Sequence, residues 1–337
     1  MGHRKQSAPR HGSLAFRPRA RFRRLTPRIR FWPEVDGRVR LLGFAGYRVG
    51  MTNGFIVDTS ESSPFKGKEV FTPLTIIETP PLSVVGVRLY GNSVQGLQVF
   101  WEGWASSLPE HLKRRITSLG NRKASSPPNV PDGLVERIRE VRVIVATQPY
   151  RTGIGKKAPE VFEIGVGGGS SVKERVDYAM SLLGKEVKAG EALEEGGFID
   201  VFAVTKGKGF QGVVKRFRVK IMDRKSNKTR RGIATLGPWK PSGVMYTVPR
   251  PGQMGYMQRL VRNLQVLKMV DNPEEVNTVS GFHKYGVVRN PVVIVNGSIP
   301  GTPKRLVKIR VSARKHGVKV KQPPVLTHIN IRRPVAA

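Results

Sequence analysis

Apolar residues along this chain run in short blocks broken by glycine and proline far more often than they recur at helical spacing. RVRLLGFAGYRVGMT (38–52) is β-rich, and GFIVDTS follows Thr52-Asn53, a pattern that predicts a hairpin. TPLTIIETPPLSVVGVRLYG (72–91) predicts two strands parted at Pro80-Pro81, because proline is confined to bends and sheet edges. VRVIVATQ (141–148) reads as a buried strand and FIDVFAVTKG (198–207) as another. YGVVRNPVVIVNGSIPG (285–301) predicts two more, and RLVKIRVSAR (305–314) sets Leu306, Ile309 and Val311 in loose alternation with Lys308 and Arg310.

Two segments carry helical spacing. LPEHLKRRITSL (108–119) predicts a short helix, with Pro109 and Glu110 suited to its first turn. The stronger helix is 171–183: Ser171 and Glu174 have capping-box spacing, Val172, Val176, Ala179 and Leu183 share a face, and Gly184 stands at the stop. NRKASSPPNVPDG (121–133) is a loop by composition. This mixture predicts a β-rich fold with an α+β domain inserted between strands of a second domain.

Charge divides the 337-residue chain along the same lines. The net charge is +35, yet residues 58–200 hold 18 acidic and 18 basic residues. All of the excess therefore lies outside that stretch, and such a field needs a polyanionic partner. Residues 1–30 carry ten Lys or Arg and no acid, interrupted by Pro9, Pro18 and Pro27. They read either as a solubilising tail or as an arm that orders on RNA; Phe16 and Phe22 favour the arm. Between Asp200 and Asp271 there are sixteen Lys and Arg against one carboxylate, Asp223, interleaved with Phe210, Phe217, Trp239, Tyr246 and Tyr256. This segment is too basic and too rich in Gly and Pro to bury a face as a helix or central strand. It suits a chain threaded among phosphates and bases. Extended out and back, it reaches about 75 Å at roughly 3.3 Å per residue.

Other chemistry is poorly supplied. Cysteine is absent, the six histidines are scattered, and no apolar run approaches the ~18 residues of a membrane span. The N-terminus lacks the apolar core of a secretory signal. Gly207, Gly209 and Gly212 satisfy GxGxxG. However, the basic, β-branched VVKRFRVK follows instead of a helix, and Gly232 occupies the position where a ribose-binding acid belongs. Gly153, Gly155 and Lys156 do not complete a P-loop, because Tyr150 replaces its first glycine. GVGGGSS (165–171) reads as a strand-to-helix connection, Trp101 and Trp104 as core or domain-interface aromatics, and Glu194-Glu195 as a solvated turn. No catalytic constellation stands out, and neither a cofactor nor a metal is expected. A DNA-binding architectural protein is the rival class for such basic arms.

The same stretches resemble the universal large-subunit ribosomal protein L three family, in its archaeal branch, over nearly the whole chain. GHRKQSAPRHGSLAFRPRAR is similar to the family's N-terminal arm, LLGFAGYRVGMT to its first barrel strand and TIIETPP to the start of its insert. DVFAVTKGKGFQGVVKRF resembles the family signature through Asp200, Ala203, Thr205, Gly207, Lys208, Gly209, Gly212 and Arg216. LGPWKPSGV and PGQMGY resemble the central extension; YGVV and NGSIPGTPKRLVKIR resemble the last barrel strands. Departures include Arg230, where eukaryotic members have a methylatable histidine, and Met257, which replaces a common histidine.

The resemblance implies a six-stranded translation-protein-type β-barrel, an inserted α+β domain and long basic extensions into large-subunit rRNA. The central extension would approach the peptidyl transferase centre with Trp239 closest, and Gln253 matches a glutamine that some bacterial members methylate. The expected divisions are an N-terminal arm 1–37, barrel parts 38–79, 196–215 and 266–320, an insert 80–195, a central extension 216–265 and a basic tail 321–337. The expected rRNA-binding residues in the arm are Arg4, Lys5, Arg10, Arg17, Arg19, Arg21, Arg23 and Arg24. In the extension they are Lys206, Lys208, Lys215, Arg216, Arg218, Lys220, Arg224, Lys225, Lys228, Arg230, Arg231, Trp239, Lys240, Arg250, Gln253, Tyr256, Arg259 and Arg262, with Lys304 and Arg305 beyond it. The expected partners are large-subunit rRNA and neighbouring ribosomal proteins in the cytoplasm, with no membrane and no small-molecule substrate.

Overall fold

A computed structural model describes residues 12–59, 61, 63–118, 130–226, 228–314 and 323–331. The chain divides into two compact units: Leu25–Ala203 with Arg259–Ala337, and Met1–Arg24 with Val204–Gln258. In chain order the strands are β1 (Arg40–Leu41), β2 (Gly43–Val57), β3 (Glu69–Glu78), β4 (Leu82–Ser93), β5 (Gly96–Trp104), β6 (Ile138–Ala146), β7 (Val161–Gly167), β8 (Glu186–Val187) and β9 (Phe198–Val204). They continue as β10 (Gly207–Gln211), β11 (Gly252–Gly255), β12 (Gln258–Val270), β13 (Val292–Asn296), β14 (Leu306–Val311) and β15 (Val325–Ile329). The α-helices are α1 (Val172–Ser181), α2 (Ala189–Ala192) and α3 (Val213–Phe217).

In the larger unit six strands close on themselves in the order β2-β3-β13-β12-β9-β14, because β14 pairs with both β9 and β2. β15 adds to the second half of β2. Closure leaves the ring without free edges. Phe44, Ile76, Val201, Val293, Ile294 and Ile309 in these strands are almost wholly buried. Each such side chain contributes roughly 1.5–3 kcal/mol. Two buried carboxylates are paired: Asp200 accepts from Arg310 at 2.5 Å, and Glu78 accepts from Tyr285 and, at 3.0 Å each, from the backbone N–H groups of Arg289 and Asn290.

The second sheet of this unit runs β1-β7-β6-β4-β5, with β8 on β4. The chain crosses into it at Pro80-Pro81, between β3 of one sheet and β4 of the other. α1 packs on β6 and β7 and begins as its sequence predicts: Ser171 Oγ accepts the Glu174 N–H at 3.2 Å, and Gly184 lies beyond its end at φ +80°. Tyr47 of the ring donates to Glu160 at 2.8 Å and to Thr147 at 3.0 Å, fixing the sheet to the ring through a buried cluster. Trp101 packs half-buried on the main core and Trp104 on a smaller one with Leu112 and Ile144.

Four expectations need correction. The hairpin at Thr52-Asn53 does not form: β2 runs straight through both residues, because β3 on one side and β15 on the other take up its backbone groups there. The helix expected over 108–119 is not α-helical in the described residues: Glu110–Arg114 form a 3-10 turn, preceded by Pro109 without a side-chain cap. Of the two strands expected in 285–301 only β13 exists. Tyr285 and Gly286 instead end a tight turn closed by reciprocal backbone bonds of 2.9 Å between Phe282 and Gly286, and Val287-Val288 follow it without strand pairing. A helix, α3, does follow Gly212, although β-branched residues open it. Among the described residues no helix is long and apolar enough to cross a membrane.

Candidate nucleic-acid interface

In the smaller unit, β10 and β11 pair antiparallel and form a two-stranded sheet. The pairing needs glycine: Gly255 has φ +70°, and a Cβ there would meet the Lys206 carbonyl oxygen at 2.0 Å. Backbone bonds continue beyond Gly207 and Gly255, from the Thr205 N–H to the Met257 carbonyl at 2.9 Å and from the Tyr256 N–H to the Lys206 carbonyl at 3.2 Å. α3 buries Val213 and Phe217, four residues apart on one face, and ends at Arg218 in the left-handed region (φ +55°). Arg216 ties this helix to β11 by donating to the carbonyls of Gln253 (3.1 Å) and Arg250 (2.8 Å). Burial, and then the nearby Arg17, lower its pKa from the ordinary guanidinium value. The segment thus has more structure than its charge suggests.

The N-terminal arm lies along this assembly. Arg17, Arg19 and Arg21, two residues apart, each meet an aromatic ring. Their guanidinium carbons stand 4.6, 4.5 and 5.0 Å from the ring centres of Tyr246, Phe217 and Tyr256. Arg17 also donates to the Tyr246 carbonyl at 2.7 Å, and the Phe22 N–H to that of Tyr256 at 2.8 Å. Three cations assigned to RNA on sequence alone therefore also clasp the chain's own aromatics. Phe217 is buried beneath Arg19 and unavailable for stacking, whereas Phe210, Tyr246 and Trp239 stay open, Trp239 at 91% exposure.

Between Arg218 and Arg250 the chain turns back on itself, with the Met222 N–H donating to Arg230 at 3.0 Å. Arg224, Lys225, Lys228, Arg230, Arg231 and Lys240 are all exposed, as are Lys206, Lys208, Lys215, Arg218 and Lys220. Gln253 is half-buried, its amide donating to the carbonyls of Met254 (3.2 Å) and Gly255 (3.1 Å). Arg259, Arg262, Lys304 and Arg305 belong to the larger unit; Arg262 and Lys304 are exposed, and burial lowers the pKa of Arg259. Arg4, Lys5 and Arg10 lie outside the described residues, as does most of the loop expected at 121–133.

Electrostatics separates the two units. Among the described residues the salt bridges lie in the larger one, where Arg88 and Arg142 share Glu163 at 2.5 and 3.2 Å and hold Glu102 and Glu140 besides. Those guanidiniums hold the Glu163 carboxyl below the usual carboxylate range against the opposing effect of burial. The smaller unit cannot neutralise itself. It has eight Lys or Arg in residues 1–24 and thirteen in 204–258, against the single carboxylate Asp223. Among the described residues no cluster of acids and histidines could hold a metal ion.

A family model described as Ribosomal protein L3 matches residues 1–331. The chain belongs to the ribosomal protein L3 family. A relative described as large ribosomal subunit protein uL3 from Archaeoglobus fulgidus is 47% identical over 322 residues, 92% of this chain and 93% of its own. Proteins of the same description from Thermoplasma volcanium and Methanocorpusculum labreanum are 46% and 43% identical, each over more than nine-tenths of both chains. Members of the ribosomal protein L3 family are structural constituents of the ribosome, not enzymes. The GxGxxG match accordingly serves the backbone: Gly207 and Gly209 sit in paired β10, and Gly212 caps α3.

Proposed function

We propose that this protein binds and braces large-subunit rRNA, entering early in assembly, with residues 216–265 reaching toward the peptidyl transferase centre. The carrying observation is the smaller unit's 21 Lys and Arg against one carboxylate. Such a surface is stable only against a dense polyanion, and release of counterions from phosphates supplies the affinity. RNA is favoured over duplex DNA by the isolated exposed aromatics, which can stack on splayed bases. In this reading the arm 1–37, the extension and the basic tail contact RNA. The protein acts in the cytoplasm, within the large subunit and beside other ribosomal proteins.

The test is sedimentation of a cell extract at moderate salt, with and without ribonuclease. The protein is expected to travel with the large subunit and to leave it only when RNA is digested. Sedimentation at the top of the gradient, or with DNA, overturns the proposal.

A further inference from the structure

The second sheet of the larger unit ends on an open edge. β5 is its last strand, and among the described residues no strand pairs with its outer side. Exposed edges are usually blunted by lysine, proline or a charge aimed along the edge. β5 (GLQVFWEGW) contains no Lys, Arg or Pro, and its one carboxylate, Glu102, is engaged by Arg88 at 2.6 Å and the Trp104 indole at 2.5 Å. A bulge against Leu89/Tyr90 bends the strand and leaves Gly96–Val99 as regular edge.

This edge is also apolar. Leu97, Val99 and Phe100 are exposed, and Val94 at the hairpin tip is fully so (106%). Two-residue hairpin turns take Gly, Asn or Asp for their backbone angles. A valine there supplies neither conformational freedom nor a hydrogen bond, so its apolar surface calls for a contact.

Charge identifies the contact. Residues 89–112 are the longest stretch of the chain without Lys or Arg, 24 residues in a protein with 59 such cations, and they carry Glu102 and Glu110. The cations around it are Arg88 of β4, already paired with Glu102 and Glu163, and Arg137 and Arg139 around the start of β6, where Arg139 donates to Asn92 at 3.4 Å. A surface lying against phosphates would need cations of its own. An apolar, weakly acidic edge instead suits a polypeptide strand that brings its own positive charge.

We propose that the β4–β5 hairpin is a protein docking site, at which an extended, Lys/Arg-bearing segment of a second protein adds as a strand along Gly96–Val99 and covers Val94 and Leu97. The proposal rests on reading the cationic surface as the RNA-facing one. It is tested in assembled large subunits carrying the photoreactive residue p-benzoylphenylalanine at position 94, 97 or, separately, 239. Positions 94 and 97 are expected to crosslink to a Lys/Arg-rich peptide of another protein, and position 239 to RNA. RNA adducts, crosslinks confined to this chain, a partner peptide without cations, or no crosslink from 94 and 97 overturns the docking site. Absence of RNA from the 239 crosslink counts instead against the rRNA reading. Placing charges on the edge by Leu97→Lys with Val99→Lys is expected to lower the protein crosslink from position 94 about tenfold, equivalent to about 1.4 kcal/mol. The RNA crosslink from 239 should not change; an unaltered yield at 94 also overturns the proposal.

Discussion

Arg19 lies with its guanidinium carbon 4.5 Å from the centre of the Phe217 ring, and it donates to the Ser13 carbonyl at 2.6 Å. Arg216 approaches the same ring at 5.1 Å. One buried aromatic therefore holds a cation of the arm and one of α3, elements about two hundred residues apart in sequence. Desolvated pairs of this kind reach about 2 kcal/mol, and exposed ones about half as much. The arm is thereby given a path along its own protein before any phosphate is met.

Phe217→Leu keeps the apolar bulk and removes the π-face. It is expected to loosen the arm by about 0.5–1 kcal/mol and to speed limited tryptic cleavage between Arg17 and Arg24 roughly two- to fivefold. The circular dichroism spectrum should not change. Cleavage at the wild-type rate would show that the stack does not hold the arm.

Gly255→Ala puts a Cβ into the Lys206 carbonyl, at a φ that disfavours any side chain. The pairing of β10 with β11 is expected to open. Hydrogen exchange at the amides of Thr205 and Tyr256, which bond across this pairing, should accelerate about tenfold or more, whereas β6 keeps its protection. Undisturbed exchange at both amides would contradict the steric argument.

Much of this was legible from sequence, and the failures share a cause. Pro80-Pro81, the capping box at Ser171 and the apolar run at 141–148 act locally, so pattern alone places them. Thr52-Asn53 carries turn chemistry but lies between β3 and β15, the latter about 270 residues on, and pairing on both sides overrides it. α3 forms from poor helix formers because Val213 and Phe217 bury a common face. The two-residue spacing of Arg17, Arg19 and Arg21 is visible in the chain, but their aromatic partners are known only from the fold. The cation-free stretch at 89–112 was also open to inspection.

Lys308 is buried with its Nζ 3.8 Å from the centre of the Phe162 ring, within electrostatic reach of Glu163 in β7 and of Glu160 just before it. Burial lowers its pKa from 10.5 to about 7, against the opposing pull of those carboxylates. The unfolded chain thus takes up a proton between these values that the native state refuses, and native stability gained from this group rises with pH from about 7 to 10.5. Lys308→Met is expected to stabilise the protein near pH 7 by on the order of 2 kcal/mol, with the gain shrinking toward pH 10. Thermal melts across that range measure it, and a gain that grows with pH would reverse the assignment.

Asp200→Ala leaves Arg310 buried with the Phe31 carbonyl (2.7 Å) as an acceptor, and its Nε already lacks a partner. It also strips acceptors from the N–H groups of Asn263 (3.1 Å) and Ala313 (3.4 Å). Breaking a buried pair from one side costs roughly 3–5 kcal/mol. Urea unfolding should show that loss, and a change below about 1 kcal/mol would mean that water reaches the pair.

Trp239 makes the opposite case, because at 91% exposure the fold makes little use of its indole. It follows Gly237-Pro238 and precedes the Lys240-Pro241 bond, so it is presented on a stiff backbone between prolines. A residue so displayed has its value outside the chain, and stacking on a base is worth about 1–3 kcal/mol. Trp239→Ala should therefore melt like the parent protein yet perturb the large subunits that contain it. Peptide-bond formation and sensitivity to antibiotics of the peptidyl transferase centre are the readouts. Subunits normal in both would place this side chain away from that centre and leave the extension a purely electrostatic anchor.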